Sequence, residues 1–207
     1  MSQAGWTRRE LGGAVALLAA VVGMPAAVSM LSRQTDDDAP TDRQRKMMRA
    51  VSQLVVPRTG TPGAGDVGVG DFVILALEHG LDGTRRPAAS DALPPLAMGH
   101  MRPDGSLRFV AWLEAELDRA ANGDWIGKPE ARRAALLTKL DADAYAAQGD
   151  HPWKKVKGLI LTGYYTSETG GARELNYELT PGLFDPAVAI KPGARAYSSD
   201  WTAVDFG

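Results

Sequence analysis

Thr41-Asp42-Arg43-Gln44-Arg45-Lys46-Met47-Met48-Arg49-Ala50-Val51-Ser52-Gln53-Leu54-Val55-Val56-Pro57 is the stretch that decides the fold. Thr41 is a good N-cap, and Asp42 follows in the first turn, where the positive end of the helix dipole favours a carboxylate. Met47, Val51, Leu54 and Val55 recur at helical spacing, and Pro57 stops the pattern. The segment is an amphipathic helix, and its apolar face requires partner helices.

Downstream, such partners recur. Residues 69–79 are strongly apolar (Phe72, Val73, Ile74, Leu75, Leu77), with Asp71 early and Gly80 as a C-cap, which predicts a short buried helix, with a strand as the alternative. Residues 81–101 are interrupted by prolines and read as irregular. Asp104 or Ser106 is expected to cap a helix running to about Ala121, with Phe109, Val110, Leu113 and Leu117 on one side and Glu114, Glu116, Asp118 and Arg119 opposite. Pro129 opens another, carried by Ala134, Leu137, Leu140 and Tyr145 toward Gly149. Pro152 opens a further one through Val156, Leu159, Ile160 and Tyr164, broken by Gly170-Gly171. From Ala172 onward the chain reads as coil with one short hairpin. The fold class is therefore mainly α, an irregular domain of about five helices with long ordered loops and an extended aromatic C-terminal tail.

Upstream, residues 33–40 with Asp36-Asp37-Asp38 form a solvated linker, which makes residues 41–207 a single domain behind a leader at 1–32. That leader holds Thr7-Arg8-Arg9-Glu10-Leu11 ahead of an uncharged run from 12 to 32. A basic pair before an apolar stretch is the layout of an export signal, and adjacent Arg8 and Arg9 point to the twin-arginine route, which carries folded cargo. A membrane anchor is the competing reading, since about 20 apolar residues span a bilayer. Glycine, alanine and Pro25 dilute the run, and Ala27-Val28-Ser29 fits a small-x-small cleavage site, so a signal is favoured, either removed or kept as a tether. Gly12 departs from the usual pattern, in which a lysine follows the leucine.

Composition narrows the function. The formal charge of −2 gives no basic balance for nucleic acid. With 0 cysteines, the chain itself carries no disulfide, thiolate nucleophile or Cys-ligated haem or iron–sulfur cluster. The 23 glycines and 13 prolines explain the long loops expected between helices. The glycine-rich Thr59-Gly60-Thr61-Pro62-Gly63-Ala64-Gly65-Asp66-Val67-Gly68-Val69-Gly70 lacks the Gly-Lys-Ser/Thr ending of a phosphate loop and follows a helix rather than a strand, so it is a turn-rich connection in which the glycines take left-handed turns. His79, His100 and His151 are too scattered for a metal site, and Ser167, Ser198 and Ser199 occupy no nucleophile elbow. Glu114, Glu116, Asp118, Asp141 and Asp143 read as solvated charges on helix faces.

Two aromatic segments stand apart from the core pattern. Gly163-Tyr164-Tyr165-Thr166-Ser167-Glu168 places adjacent tyrosines at the end of an apolar helix, and neighbours on a helix cannot both face one core, so one points outward. Tyr177, Phe184, Tyr197, Trp201 and Phe206 then lie in chain without helical periodicity. Such residues suit a protein interface, and equally suit a tail that wraps its own helices.

These features together resemble the gluconate 2-dehydrogenase subunit 3 family. The resemblance rests on the Arg8-Arg9 leader, on Leu54-Val55-Val56-Pro57-Arg58-Thr59-Gly60-Thr61-Pro62-Gly63-Ala64, on Val67-Gly68-Val69-Gly70-Asp71-Phe72, and on the tyrosine segment with Tyr177 and Pro181-Gly182 beyond it. It implies a small, non-catalytic subunit of an exported sugar or polyol dehydrogenase, with no cofactor of its own. The partner it implies is a large subunit of the glucose-methanol-choline oxidoreductase class carrying FAD. A cytochrome c subunit would take the electrons through haem c, and the twin-arginine translocase would pass the folded pair to the periplasm. It also implies an interface drawn from Pro57, Thr59, Pro62, Gly63, Phe72, Tyr164, Tyr165, Ser167, Tyr177, Phe184 and Trp201. The competing readings are a free-standing periplasmic hydrolase or lyase and a solitary helical binding module.

Overall fold

The structure is a computed structural model that describes residues 39–88, 93–147, 149–177, 187, 189 and 191–198. Five α-helices are present among the described residues: α1 (Asp42–Val55), α2 (Val69–Glu78), α3 (Phe109–Ala121), α4 (Glu130–Ala146) and α5 (Pro152–Tyr165). The leader and most of the linker lie outside the described residues, and no described helix is long and apolar enough to cross a membrane.

The opening helix begins as its cap demands. Thr41 Oγ1 accepts a hydrogen bond from the Gln44 amide at 3.1 Å, and the Gln44 side-chain oxygen accepts from the Thr41 amide at 3.0 Å. This reciprocal pair satisfies two amides that the helix end would otherwise leave open. Met47, Met48, Val51 and Ser52 face inward. Residues 69–78 settle as helix rather than strand, with Val69, Gly70, Val73, Ile74, Ala76 and Leu77 buried.

α1 and α2 approach each other closely through the glycine-rich connection. Only Gly68 within that connection takes a left-handed conformation, with φ 81°, so the expectation of serial left-handed turns is corrected. Close contact is the reason for Gly63, Gly65 and Gly70, whereas a Cβ on Gly60 would meet nothing within 4 Å. A Cβ on Gly70 would stand 2.7 Å from the Arg49 backbone nitrogen, and one on Gly65 would stand 2.6 Å from the Arg49 carbonyl oxygen. Replacing Gly70 with valine is expected to force the two helices apart at a cost of about 1–3 kcal/mol. A urea melt should show a lower midpoint at unchanged slope, and an unchanged midpoint would show that the pair tolerates the wedge.

Around this pair α3, α4 and α5 close the core. Trp112, Trp125 and Trp153 are almost wholly buried beside Leu113, Leu117 and Ile160. Burying each such side chain contributes about 1.5–3 kcal/mol before entropy is counted. Pro152 occupies the first turn of α5 as proline prefers, and His151 Nδ1 accepts from the Trp153 amide at 3.2 Å. Its half-buried ring meets Trp112 edge-on at 5.8 Å, and burial holds its pKa below the usual histidine value.

Local expectations fail where distant chain intervenes. Asp104 and Ser106 do not cap α3, which begins at Phe109 with Arg108 ahead of it. Met101 and Leu107 form an antiparallel bridge, and the Asp104 carboxylate accepts from the Ser106 amide at 2.9 Å and hydroxyl at 2.6 Å to close the turn between them. Arg102 donates to the Leu107 carbonyl at 2.7 Å and pairs with Glu78 at 3.0 Å, anchoring that turn on the end of α2. On α4, Tyr145 is 58 % exposed and Ala144 takes the inward position. Lys157 and Lys154 lie over the Tyr145 ring at 4.9 and 5.6 Å, which holds it at the surface. Among the described residues no hairpin forms after Ala172. A π-helical turn (Glu168–Glu174) leads into β1 (Asn176–Tyr177), which pairs in parallel with β2 (Tyr197–Ser198).

The acidic face of α3 also departs from the expectation of plain solvation. Arg43 on α1 donates to Glu114, to Asp118 at 2.9 and 2.8 Å, and to Asp124 at 2.7 Å, while Gln44 donates to Glu114 at 2.8 Å. The carboxylates are therefore a clamp between α1 and α3. Bonds from Asp118, then Asp124 and Glu114, hold the Arg43 guanidinium even further above its usual range. Asp141 behaves alike, accepting from Trp153 Nε1 at 2.6 Å and from Lys157 at 2.8 and 2.9 Å.

Candidate subunit interface

Of the residues singled out by sequence, Pro62, Phe72, Tyr164, Tyr165 and Ser167 meet at the C-terminal end of α5. Tyr164 and Tyr165 divide as their adjacency requires: Tyr164 is 1 % exposed and Tyr165 39 %, with the two rings edge to face at 5.2 Å. The buried phenol is a hub. Its oxygen lies 2.9 Å from the Pro62 carbonyl oxygen, 3.3 Å from Thr61 Oγ1, and in short contact with Glu174. Thr61 Oγ1 donates in turn to Glu174 at 3.2 Å. One side chain thus joins three pieces of chain, namely α5, the connection after α1, and the π-helical turn. Burial first, and the Glu174 contact second, raise the Tyr164 pKa above its usual value.

Small residues let the hub close. Ser167 caps the turn, its hydroxyl donating to the Tyr164 carbonyl at 2.6 Å and accepting from the Gly170 amide at 3.2 Å. Gly170 passes so close that an added Cβ would stand 2.2 Å from the Tyr164 carbonyl oxygen. Phe72 of α2 packs, half-buried, against Gly163.

On the other side of the hub, Asp66 shapes the connection. It accepts from the Gly63 amide at 3.0 Å and from Arg58 Nε at 3.2 Å, and it pairs with the Arg58 terminal nitrogen at 2.9 Å. The Arg58 bond first, then the Gly63 amide, holds its carboxyl below the usual range.

The residues inferred from sequence therefore fall into two roles. Pro57, Thr59, Pro62, Tyr165 and Tyr177 are exposed, while Gly63, Tyr164 and Ser167 are buried and can only shape a surface. Phe72 is intermediate. Arg8, Arg9, Phe184 and Trp201 lie outside the described residues. Two participants were missed by sequence reasoning, Glu174 and Asp66. Glu174 gave no signal, since its partners are Thr61 and Tyr164 rather than any neighbour in sequence. Asp66 gave little signal either, because its carboxylate reaches back three residues to the Gly63 amide, the reverse of the forward Asx bond by which aspartates usually fix a turn.

Chemically, this end presents the exposed Tyr165 ring beside the ion pairs Arg58–Asp66 and Arg173–Glu168. Among the described residues no group of three or more His, Asp or Glu side chains could hold a metal ion. The carboxylates that cluster, Glu114, Asp118 and Asp124, are occupied by Arg43. Comparison with curated proteins and with solved structures returns no match. Comparison with family models does: residues 42–182, spanning all five helices, the tyrosine hub and β1, match gluconate 2-dehydrogenase subunit 3, and the chain belongs to that family.

Proposed function

We propose that the chain is the accessory small subunit of an exported, FAD-dependent sugar or polyol dehydrogenase. In this reading the catalytic subunit is a flavoprotein of the glucose-methanol-choline class, and it supplies the FAD and the substrate site. This chain supplies the twin-arginine leader, helps the flavoprotein fold and holds the complex together in the periplasm. A cytochrome c subunit with haem c receives the electrons. The chain contributes no catalytic residue and no cofactor ligand.

The observation that carries this reading is the surface around the tyrosine hub. It presents Pro57, Thr59, Pro62, Tyr165 and Tyr177 to solvent on a scaffold whose shape is fixed by Tyr164, Ser167 and Asp66. Exposed tyrosines on a rigid support lose little entropy on binding and are common anchors of interfaces. Family membership supports the same assignment, since the family is named as a subunit of a dehydrogenase.

Co-expression with a leaderless flavoprotein encoded beside this chain tests the proposal. The two should co-purify as a yellow complex, and Tyr165→Ala should weaken that complex by about 2 kcal/mol while changing the stability of the small subunit far less. If the chain purifies alone and the flavoprotein reaches the periplasm without it, the proposal fails.

A further inference from the structure

Serine, threonine, aspartate and asparagine ordinarily cap helices, because each offers a short side-chain acceptor to the open amides of the first turn. In Asp150-His151-Pro152-Trp153 the capping position ahead of α5 goes to a histidine instead. Pro152 has no amide hydrogen, so Trp153 brings the first donor of the helix. His151 Nδ1 takes it at 3.2 Å, and the next amide, that of Lys154, turns back to the His151 carbonyl at 2.9 Å. An imidazole nitrogen accepts a hydrogen bond only while it carries no proton. The capping ring is therefore neutral, with its hydrogen on Nε2.

The surroundings keep it so. Trp112 of α3 meets the half-buried ring at 5.8 Å. Burial pushes the pKa below the usual 6.5; Glu116 of α3 opposes that push, Lys154 of α5 adds to it, and Asp143 of α4 opposes it. Both carboxylates are already engaged, Glu116 with Arg119 and Asp143 with Lys139 at 2.8 Å. Asp150, the preceding residue, is exposed. The positive end of the α5 dipole also disfavours an imidazolium at this position.

The same turn ties α5 to α4. The His151 amide donates to the Gly149 carbonyl at 3.2 Å, and Lys154 Nζ donates to the Gly149 and Ala147 carbonyls at 2.9 and 3.3 Å. Trp153 Nε1 donates to Asp141 on α4 at 2.6 Å, so the residue whose amide is capped also pins the two helices together. We propose that His151 is an acid-operated latch on this joint. Neutral, its Nδ1 closes the first turn of α5; protonated, it turns from acceptor to donor, leaves the Trp153 amide and frees the joint between α4 and α5. The sign follows from the unfolded chain, in which this histidine takes up its proton near 6.5. The latch contributes fully above that pH, and its contribution is lost as pH falls from there through the lower folded value. The hub at the far end of α5 contains no histidine, so acid opens the helix from one end.

Nuclear magnetic resonance on the purified chain reads ring and cap in one titration, from about pH 8 down to about pH 5, the span over which histidine charges. The His151 ring should titrate below 6.5. Hydrogen-exchange protection of the Trp153 amide, corrected for the intrinsic pH dependence of exchange, should fall with it by up to about tenfold for each pH unit. His151→Asn keeps an uncharged acceptor at the cap and should hold that protection constant. His100 also titrates low, through burial and then Arg108, so the readout is the Trp153 amide rather than global stability. Two results would overturn the proposal: a His151 ring that charges while Trp153 stays protected, or the same acid loss of protection in His151→Asn. Should that variant fail to fold, the wild-type titration decides alone, because ring and amide are followed in the same chain. No partner is needed, so failure here is separate from any failure of co-purification.

Discussion

Full-length chain carrying Arg8→Lys and Arg9→Lys together is expected to stay in the cytoplasm with its flavoprotein partner, reducing periplasmic dehydrogenase activity to background. The pair of substitutions keeps both positive charges, and that is why it is informative. A leader read only through its charge, as a membrane anchor or general secretion signal would be, is indifferent to lysine for arginine. Guanidinium is planar and offers a fixed fork of donors, whereas ammonium is a compact point charge, so a receptor shaped for two guanidiniums discriminates. Fractionation of cells co-expressing both subunits, with dehydrogenase activity and immunoblots of each fraction, checks the outcome. Normal periplasmic activity would sink co-export by this route and leave the helical domain's role standing. Retention of this chain with normal export of the flavoprotein would separate the two subunits' itineraries.

The second large effect concerns Tyr164. Tyr164→Ala should destabilise the domain by about 3–5 kcal/mol, because it empties a fully buried ring site and opens the hub at once. Tyr164→Phe isolates the hydroxyl. It keeps the ring but leaves the Pro62 carbonyl, Thr61 and Glu174 without their shared partner, at a cost of about 1–3 kcal/mol. For a domain of this size each kcal/mol lowers the melting temperature by about 2–4 °C.

Alkali supplies an independent check. The folded-state pKa of this phenol is raised above its ordinary 10.0, so the stability it contributes is complete below pH 10 and is lost as pH rises through the folded value. The wild-type chain should therefore show an alkaline loss of stability that Tyr164→Phe lacks. Partner binding gives a further readout, since loosening the hub frees the 57–62 segment from α5. The Phe variant should bind the flavoprotein more weakly while its helical circular dichroism is unchanged. Equal melting curves for wild type and Tyr164→Phe would show that the hydroxyl bonds are not holding the two segments together.

How much of this was legible depended on sequence distance. α1 could be read in full, because Thr41, Met47, Val51 and Pro57 act within a few residues of one another. The outward Tyr165 was legible too, since neighbours on a helix cannot share a face. Arg43 was not, because the carboxylates it gathers lie more than 70 residues away, and on α3 alone Glu114 and Asp118 look like solvated charges. Asp104 made a locally sensible cap, but the bridge between Met101 and Leu107 had already committed that segment to a turn. Parallel pairing of Asn176 with Tyr197 was likewise hidden, because short-range turn signals describe hairpins and say nothing of a strand returning from farther along the chain.

The hub also orders events in time. Pro62 and Tyr164 are 102 positions apart, which a ribosome adding about 5–20 residues per second takes about 5–20 s to cover. α1 and α2 can pair during that interval, but the segment carrying Pro57, Thr59 and Pro62 is held only by local bonds, those of Asp66 to Gly63 and Arg58 among them, until α5 and Glu174 have emerged. A truncated or half-made chain therefore lacks the finished surface however well its first helices fold. In the proposed complex, the bond from Tyr164 to Pro62 would act as a certificate of completion: a flavoprotein that selects the locked surface would select a chain synthesised at least as far as Glu174.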